Sequence, residues 1–187
     1  NGTDSFTYQI TDDGGTANGG SATGNTVTVT LNVAAVNDAP VNTVPAAQTL
    51  LEEGTLTLST GNGNLISVAD IDNDNPTTLT LSVAQGAVTL NGLAGLAVTA
   101  GANGTSSVTV QGTLANINNA LDGLQYAPTT HYAGADTLTI TSNDGTTTDT
   151  DTIALTVTNV NDAPVAVADS YNVTEDGNIT INAASGV

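Results

Sequence analysis

One short stretch occurs twice in the chain, as Ala35-Val36-Asn37-Asp38-Ala39-Pro40-Val41 and, 124 residues later, as Asn159-Val160-Asn161-Asp162-Ala163-Pro164-Val165. Each copy follows an alternating run, residues 26–33 or 152–160, whose period of two marks a half-buried strand. Proline cannot donate to a strand ladder and holds the residue before it extended. Ala39-Pro40 and Ala163-Pro164 therefore read as stiff exits from a closing strand, with Asn and Asp oxygens beside them. Units that close on a strand, stiffen and begin again constrain the chain to tandem domains. One complete unit, residues 37–160, is expected between the C-terminal part of a preceding unit (1–36) and the N-terminal part of a following one (161–187). The sequence thus reads as a window from a longer repetitive protein.

The echoes extend beyond the joints. Gly2-Thr3-Asp4-Ser5-Phe6-Thr7-Tyr8 returns 132 residues later as Gly134-Ala135-Asp136-Thr137-Leu138-Thr139-Ile140. Because the joints are only 124 apart, the first closing hairpin carries about eight extra loop residues, a change that surface connections tolerate. The acidic turn Glu52-Glu53-Gly54 before a Thr/Leu strand returns 123 residues later as Glu175-Asp176-Gly177 before Asn178-Ile179-Thr180. Glycine at such a turn permits a positive φ. Further strands are expected at 48–51, 55–59, 77–83, 87–90, 94–99, 107–111 and 124–128, then around Leu138 and Ile140 and from Thr152, with a turn at Asn143-Asp144-Gly145. Leu114, Ile117 and Leu121 recur at helical spacing behind Thr113, which predicts one short helix over 113–124 that Gly123 closes. Many short strands, Gly and Asn turns and one helix give an all-β fold, an antiparallel β-sandwich repeated in tandem.

Charge narrows the partners. Eighteen Asp and Glu stand against no Lys or Arg, a formal net charge of -18. Nothing is present to neutralise phosphate, which excludes nucleic acid, and anionic membrane surfaces are excluded likewise. No run is long and apolar enough to insert in a membrane. Clustered carboxylates need counter-ions from solution, and with no cysteine for disulfides a metal is the available staple. Only 10% of residues are charged and the strand patterns are strong, so this is not a disordered acidic tail. The absence of Lys and Arg also removes every trypsin-type cleavage site, which suits an extracellular protein.

Four motifs in order, Val-Asn-Asp-Ala-Pro, the acidic pair before Gly and a strand, Ala69-Asp70-Ile71-Asp72-Asn73-Asp74-Asn75, and Phe6-x-Tyr8-x-Ile10-x-x-Asp13 near a Gly, resemble the cadherin-like tandem repeats, VCBS-type repeats included, of giant bacterial surface proteins. The resemblance covers nearly the whole chain. It implies a cadherin-like, Ig-like sandwich with calcium between successive domains. Asn37 and Asp38, with Asp70, Asp72 and Asp144, would form one cluster; Glu52, Glu53 and Asp136, with Asn161 and Asp162, a second. These joints offer fewer oxygen donors than a full cadherin linker, which leaves the number of ions per joint open. Calcium takes about six to eight oxygens, more than any single loop here supplies, so several loops have to converge. An EF-hand at Asp70-x-Asp72-x-Asp74 fails, because Asn75 stands where its Gly is needed, Pro76 follows, and Leu81 replaces the closing Glu.

Lone acids such as Asp4 and Asp122 read as turn formers, whereas Asp149 and Asp151 share one strand face and fit either a ligand or a solvated edge. Catalysis finds no constellation: the one histidine, His131, sits in a turn-like segment and reads as a surface residue. A glycan site usually wants aromatic platforms, and four Tyr, one Phe and no Trp read as core. Alternating Thr is ordinary strand propensity, and Asn-x-Thr at Asn1, Asn103, Asn172 and Asn178 is common by chance in a Thr-rich chain. The expected role is a calcium-rigidified repeat of a large extracellular surface protein: an adhesin, biofilm-matrix or cell-surface fibre spacer whose partners are calcium and the neighbouring repeats. A ligand-recognition module for glycan or protein is the alternative. So is a filament subunit whose incomplete end units pair with like chains in a fibre.

Overall fold

The computed structural model describes residues 2–14, 16, 19, 23–72, 76–165, 168 and 170–180. Asn1, Asp74, Asn75 and the end of the following unit, Ile181 onward, lie outside the described residues. Near the start, β1 (Gly2–Tyr8) and β2 (Val27–Val33) form an antiparallel hairpin with Gly2 opposite Val33. After the first joint come β3 (Val41–Thr43), β4 (Gln48–Leu51), β5 (Leu56–Leu58), β6 (Ser67–Ala69), β7 (Thr77–Ser82), β8 (Gly86–Thr89), β9 (Leu96–Gly101) and β10 (Ser107–Gly112). A helix, α1 (Leu114–Leu121), precedes β11 (Leu124–Pro128), β12 (Gly134–Asn143) and β13 (Thr148–Thr158).

The strongest alternation makes the largest sheet. Its order is β4-β13-β12-β7-β10-β9, and β5-β11-β8 forms a second sheet. Leu79, Leu81, Val108, Val110, Leu138, Ile140, Ile153 and Leu155 point inward from the first sheet, and Leu58, Val88, Leu124 and Tyr126 from the second, into one core. The fold is therefore an all-β sandwich with one short helix. Each fully buried Leu or Ile contributes about 1.5–3 kcal/mol of transfer free energy. Helix α1 seals the core with Ile117 and Leu121, both 0% exposed. It starts where Thr113 accepts a hydrogen bond from the Asn116 N–H at 3.3 Å, and Gly123, at φ 104°, turns the chain into β11.

Three expectations change. The strands β3 and β6, three residues each, pair with one another and carry no alternation long enough to read. Gly54 and Gly177 do not adopt positive φ. What a side chain meets at Gly54 is crowding, since a Cβ there lies 3.1 Å from the Leu51 carbonyl oxygen. The two turns nevertheless match, with Gly54 N–H bonded to Leu51 O at 2.9 Å and Gly177 N–H to Thr174 O at 2.8 Å. Third, the sandwich is not wholly antiparallel: β4 runs parallel to β13, Gln48 opposite Leu155 and Leu51 opposite Thr158. The parallel pairing of β4 with the last strand, β13, carries the chain in at one end and out at the other.

The eight-residue loop difference holds in the ladders. Tyr8 faces Val27, 19 residues on, where Ile140 faces Asp151, 11 residues on.

Candidate metal centres

The two joints lie at opposite ends of β13. Its 11 residues, at about 3.4 Å each, hold them ~37 Å apart.

At the first end, the β12–β13 turn is built around Asp144. Its Oδ1 accepts from the N–H groups of Thr146 (2.6 Å) and Thr147 (2.7 Å), and its Oδ2 from the Thr147 hydroxyl (2.7 Å). The amide of Asn37 reaches across from the joint to donate to the same Oδ2 at 3.0 Å. These donors, the Thr147 backbone first and the Asn37 amide next, hold the Asp144 carboxyl well below the usual carboxylate range. Next along the joint, the Asp38 N–H donates to Asp72 Oδ2 at 2.7 Å, and the Asp72 N–H to Asp70 Oδ1 at 2.9 Å. Asp70 Oδ2 is buried and has no hydrogen-bond partner among the described residues. It borders an open cleft of about 470 Å³ lined by Asp38, Ala39, Val41, Ala69, Asp70 and Ile71.

Asn37, Asp38, Asp70, Asp72 and Asp144 are thus brought into one hydrogen-bonded chain from three loops. All of their side-chain acceptors are hard oxygens, the donor class of calcium. An orphaned carboxylate oxygen at the cleft wall fits a cation better than it fits solvent-free burial.

At the second end, Glu52 is buried, and its Oε1 accepts from the Val160 N–H (2.6 Å) and the Asn159 amide (2.8 Å). Glu52 therefore ties the outgoing chain to the β4 turn. Its neighbour Glu53 points outward and meets His131 and Asp162, the ligand atoms of all three lying within 4.8 Å of one another. His131 Nδ1 stands 3.2 Å from Asp162 Oδ2. Asn161, in the same joint, is exposed.

Asp136 does not join this group. Its ladder partner is Leu155, whereas Glu52 bonds beyond Thr158, a separation of three residues or ~10 Å along β13. Its Oδ1 accepts from the N–H groups of Ala84 (3.1 Å) and Thr137 (2.8 Å), and its Oδ2 from the Gln85 N–H (2.9 Å) and the Tyr126 hydroxyl (2.9 Å). Burial pushes its pKa up, but the Thr137, Gln85, Tyr126 and Ala84 donors outweigh burial and leave it lowered. Burial, then the bond to Asp136, pushes the Tyr126 hydroxyl up. This carboxylate pins the β7–β8 connection to the core.

His131 was not legible as part of a site, since no spacing links it to Glu53 or Asp162. Its backbone signal, the one non-glycine positive φ (59°) among the described residues, exists only in three dimensions. Asp122 is a turn former as expected, accepting from the Thr60 N–H and hydroxyl, both at 2.9 Å. Asn103 spends its amide on the Leu90 backbone, accepting at 2.7 Å and donating at 3.3 Å. Asp149 and Asp151 are half-buried and continue the face that carries Ile153, Leu155 and Val157. No protein-family model matches the chain, and no curated protein matches it.

Proposed function

We propose that the chain is a calcium-rigidified structural repeat of a large extracellular surface protein, a spacer in an adhesin, biofilm matrix or cell-surface fibre. The observation that carries the reading is the placement of the joints. Each joint meets acids of the same domain, Asp70, Asp72 and Asp144 at one end of β13 and Glu52 and Glu53 at the other. A tandem array of such units stacks the Glu52/Glu53 end of one against the Asp70/Asp72 end of the next, with the Asn-Asp joint between them. Carboxylates from adjoining units then repel, and no Lys or Arg exists to offset them. A divalent ion supplies the missing charge and draws on oxygens of both units and the joint, which converts a flexible linkage into a stiff one.

The test is small-angle scattering on two or more consecutive units, in millimolar calcium and after chelation. The expected result is a shorter maximum dimension and a broader distance distribution without calcium. An unchanged profile refutes the spacer reading.

A further inference from the structure

We infer that the complete unit holds a second kind of cation site, inside the sandwich rather than between units, formed by Asp149, Asp151, Asn42 and Ser142. The inward face of β13 is apolar from Val157 through Ile153 and then turns acidic at Asp151 and Asp149. β4 pairs only with Leu155 to Thr158, so it leaves this end of β13 uncovered, and β3 packs there instead. The Asn42 N–H donates to Asp149 Oδ2 at 2.7 Å. Ser142 is the direct cross-strand partner of Asp149, which puts their Cβ atoms about 4.5–5.5 Å apart on the same inward face.

Two of these side chains are buried without partners among the described residues. Asn42 is 8% exposed and neither its Oδ1 nor its Nδ2 is hydrogen-bonded; Ser142 is 0% exposed and its Oγ is likewise free. A buried amide or hydroxyl with no partner costs about 1–3 kcal/mol each, and half-buried carboxylates beside them add an uncompensated charge. No Lys or Arg in the chain can answer that charge, and the one histidine belongs to the opposite end of β13.

The repeat pattern does not require this charge, because the corresponding positions of the neighbouring units carry none. At the repeat offsets, Ile10 stands in place of Ser142, Asn25 in place of Asp149, Val27 in place of Asp151, and Ala166 in place of Asn42. The register supports the correspondence, since Tyr8 faces Val27 as Ile140 faces Asp151. Four positions that hold three apolar residues and one amide in the adjoining units, with no charge among them, become two carboxylates, an amide and a hydroxyl in this one, a change that serves binding. The donors are all hard oxygens and the local charge is that of two carboxylates, which selects a divalent cation of the calcium class.

The experiment counts ions by native mass spectrometry on the full chain, with calcium as the probe in sodium-free buffer. Ser142→Ile with Asp151→Val, which copies the preceding unit, is expected to bind one calcium fewer than the parent and to melt no lower than it in chelator. Asp149→Asn is expected to weaken the same ion at least ~10-fold. Asn42→Ala, which copies the following unit and leaves the ladders intact, decides the matter if the double variant does not fold. Asp72→Asn with Asp144→Asn, which attacks the joint, is expected to leave this ion bound, so the two sites fail separately. An unchanged ion count in Asn42→Ala and Asp149→Asn, the outcome if ordered water alone fills the space, overturns the inference.

Discussion

The hairpin β1–β2 and the hairpin β12–β13 are two copies of one pattern with different fates. Their ladders superpose residue for residue, Phe6 opposite Val29 where Leu138 is opposite Ile153. Even small details repeat: Asp4 accepts from the N–H of Ser5 at 2.7 Å as Asp136 does from Thr137 at 2.8 Å, and Asp12 accepts from Gly14 at 3.1 Å as Asp144 does from Thr146 at 2.6 Å. Yet Phe6 is 54% exposed and Leu138 is 0% exposed. Leu138 is covered by the other strands of its sandwich, whereas Phe6 stands outside that core. The same difference separates a carboxylate that caps its neighbour from one that organises a core.

That contrast is sharpest at the paired aspartates. Asp136→Ala leaves three backbone N–H groups without their acceptor and the Tyr126 hydroxyl with the Gln85 carbonyl alone, and is expected to cost about 4 kcal/mol. Asp4→Ala in the first hairpin is expected to cost under ~0.5 kcal/mol. Denaturant unfolding followed by tyrosine fluorescence measures both, and comparable losses break the comparison. Next comes packing: Leu138→Ala is expected to destabilise by about 3 kcal/mol and Phe6→Ala by less than ~1 kcal/mol, read as shifts in thermal midpoint.

The smallest expected effect is on pH. Asp136 and Asp144 both have folded-state values below the unfolded one, so their contribution is fully present above an unfolded value of about 4 and is lost as pH falls through the lowered folded values. Thermal midpoints are expected to stay level from pH 7 to about 5 and to drop below ~4. Asp144→Asn flattens part of that drop; a midpoint that rises on acidification contradicts the assignment.

How much was legible follows from the range of each interaction. The helix over 113–124 was readable because its cap and its three apolar positions lie within a few turns, and it appears as Leu114–Leu121. β9 spans Leu96–Gly101, two residues later than the expected 94–99, because Gly and Ala on both sides blur its start. At the first joint, the repeat and the resemblance named Asn37, Asp38, Asp70, Asp72 and Asp144, which the fold links by hydrogen bonds. For the second they named Glu53 and Asp162 but left out His131 and enrolled Asp136, whose partners Ala84, Gln85 and Tyr126 are remote in sequence.

By itself the sequence determined the 124-residue spacing of the Asn-Asp-Ala-Pro stretch, the alternation that makes the strands and a negative charge that no Lys or Arg offsets. These are properties of neighbouring residues and of total charge, which survive without knowledge of contacts. Only the tertiary structure decided that β4 lies parallel to β13, that the joints therefore occupy opposite ends, and that Asp149 and Asp151 face inward beneath Asn42. Those outcomes depend on which strand covers which, a choice among non-local pairings that no local pattern encodes.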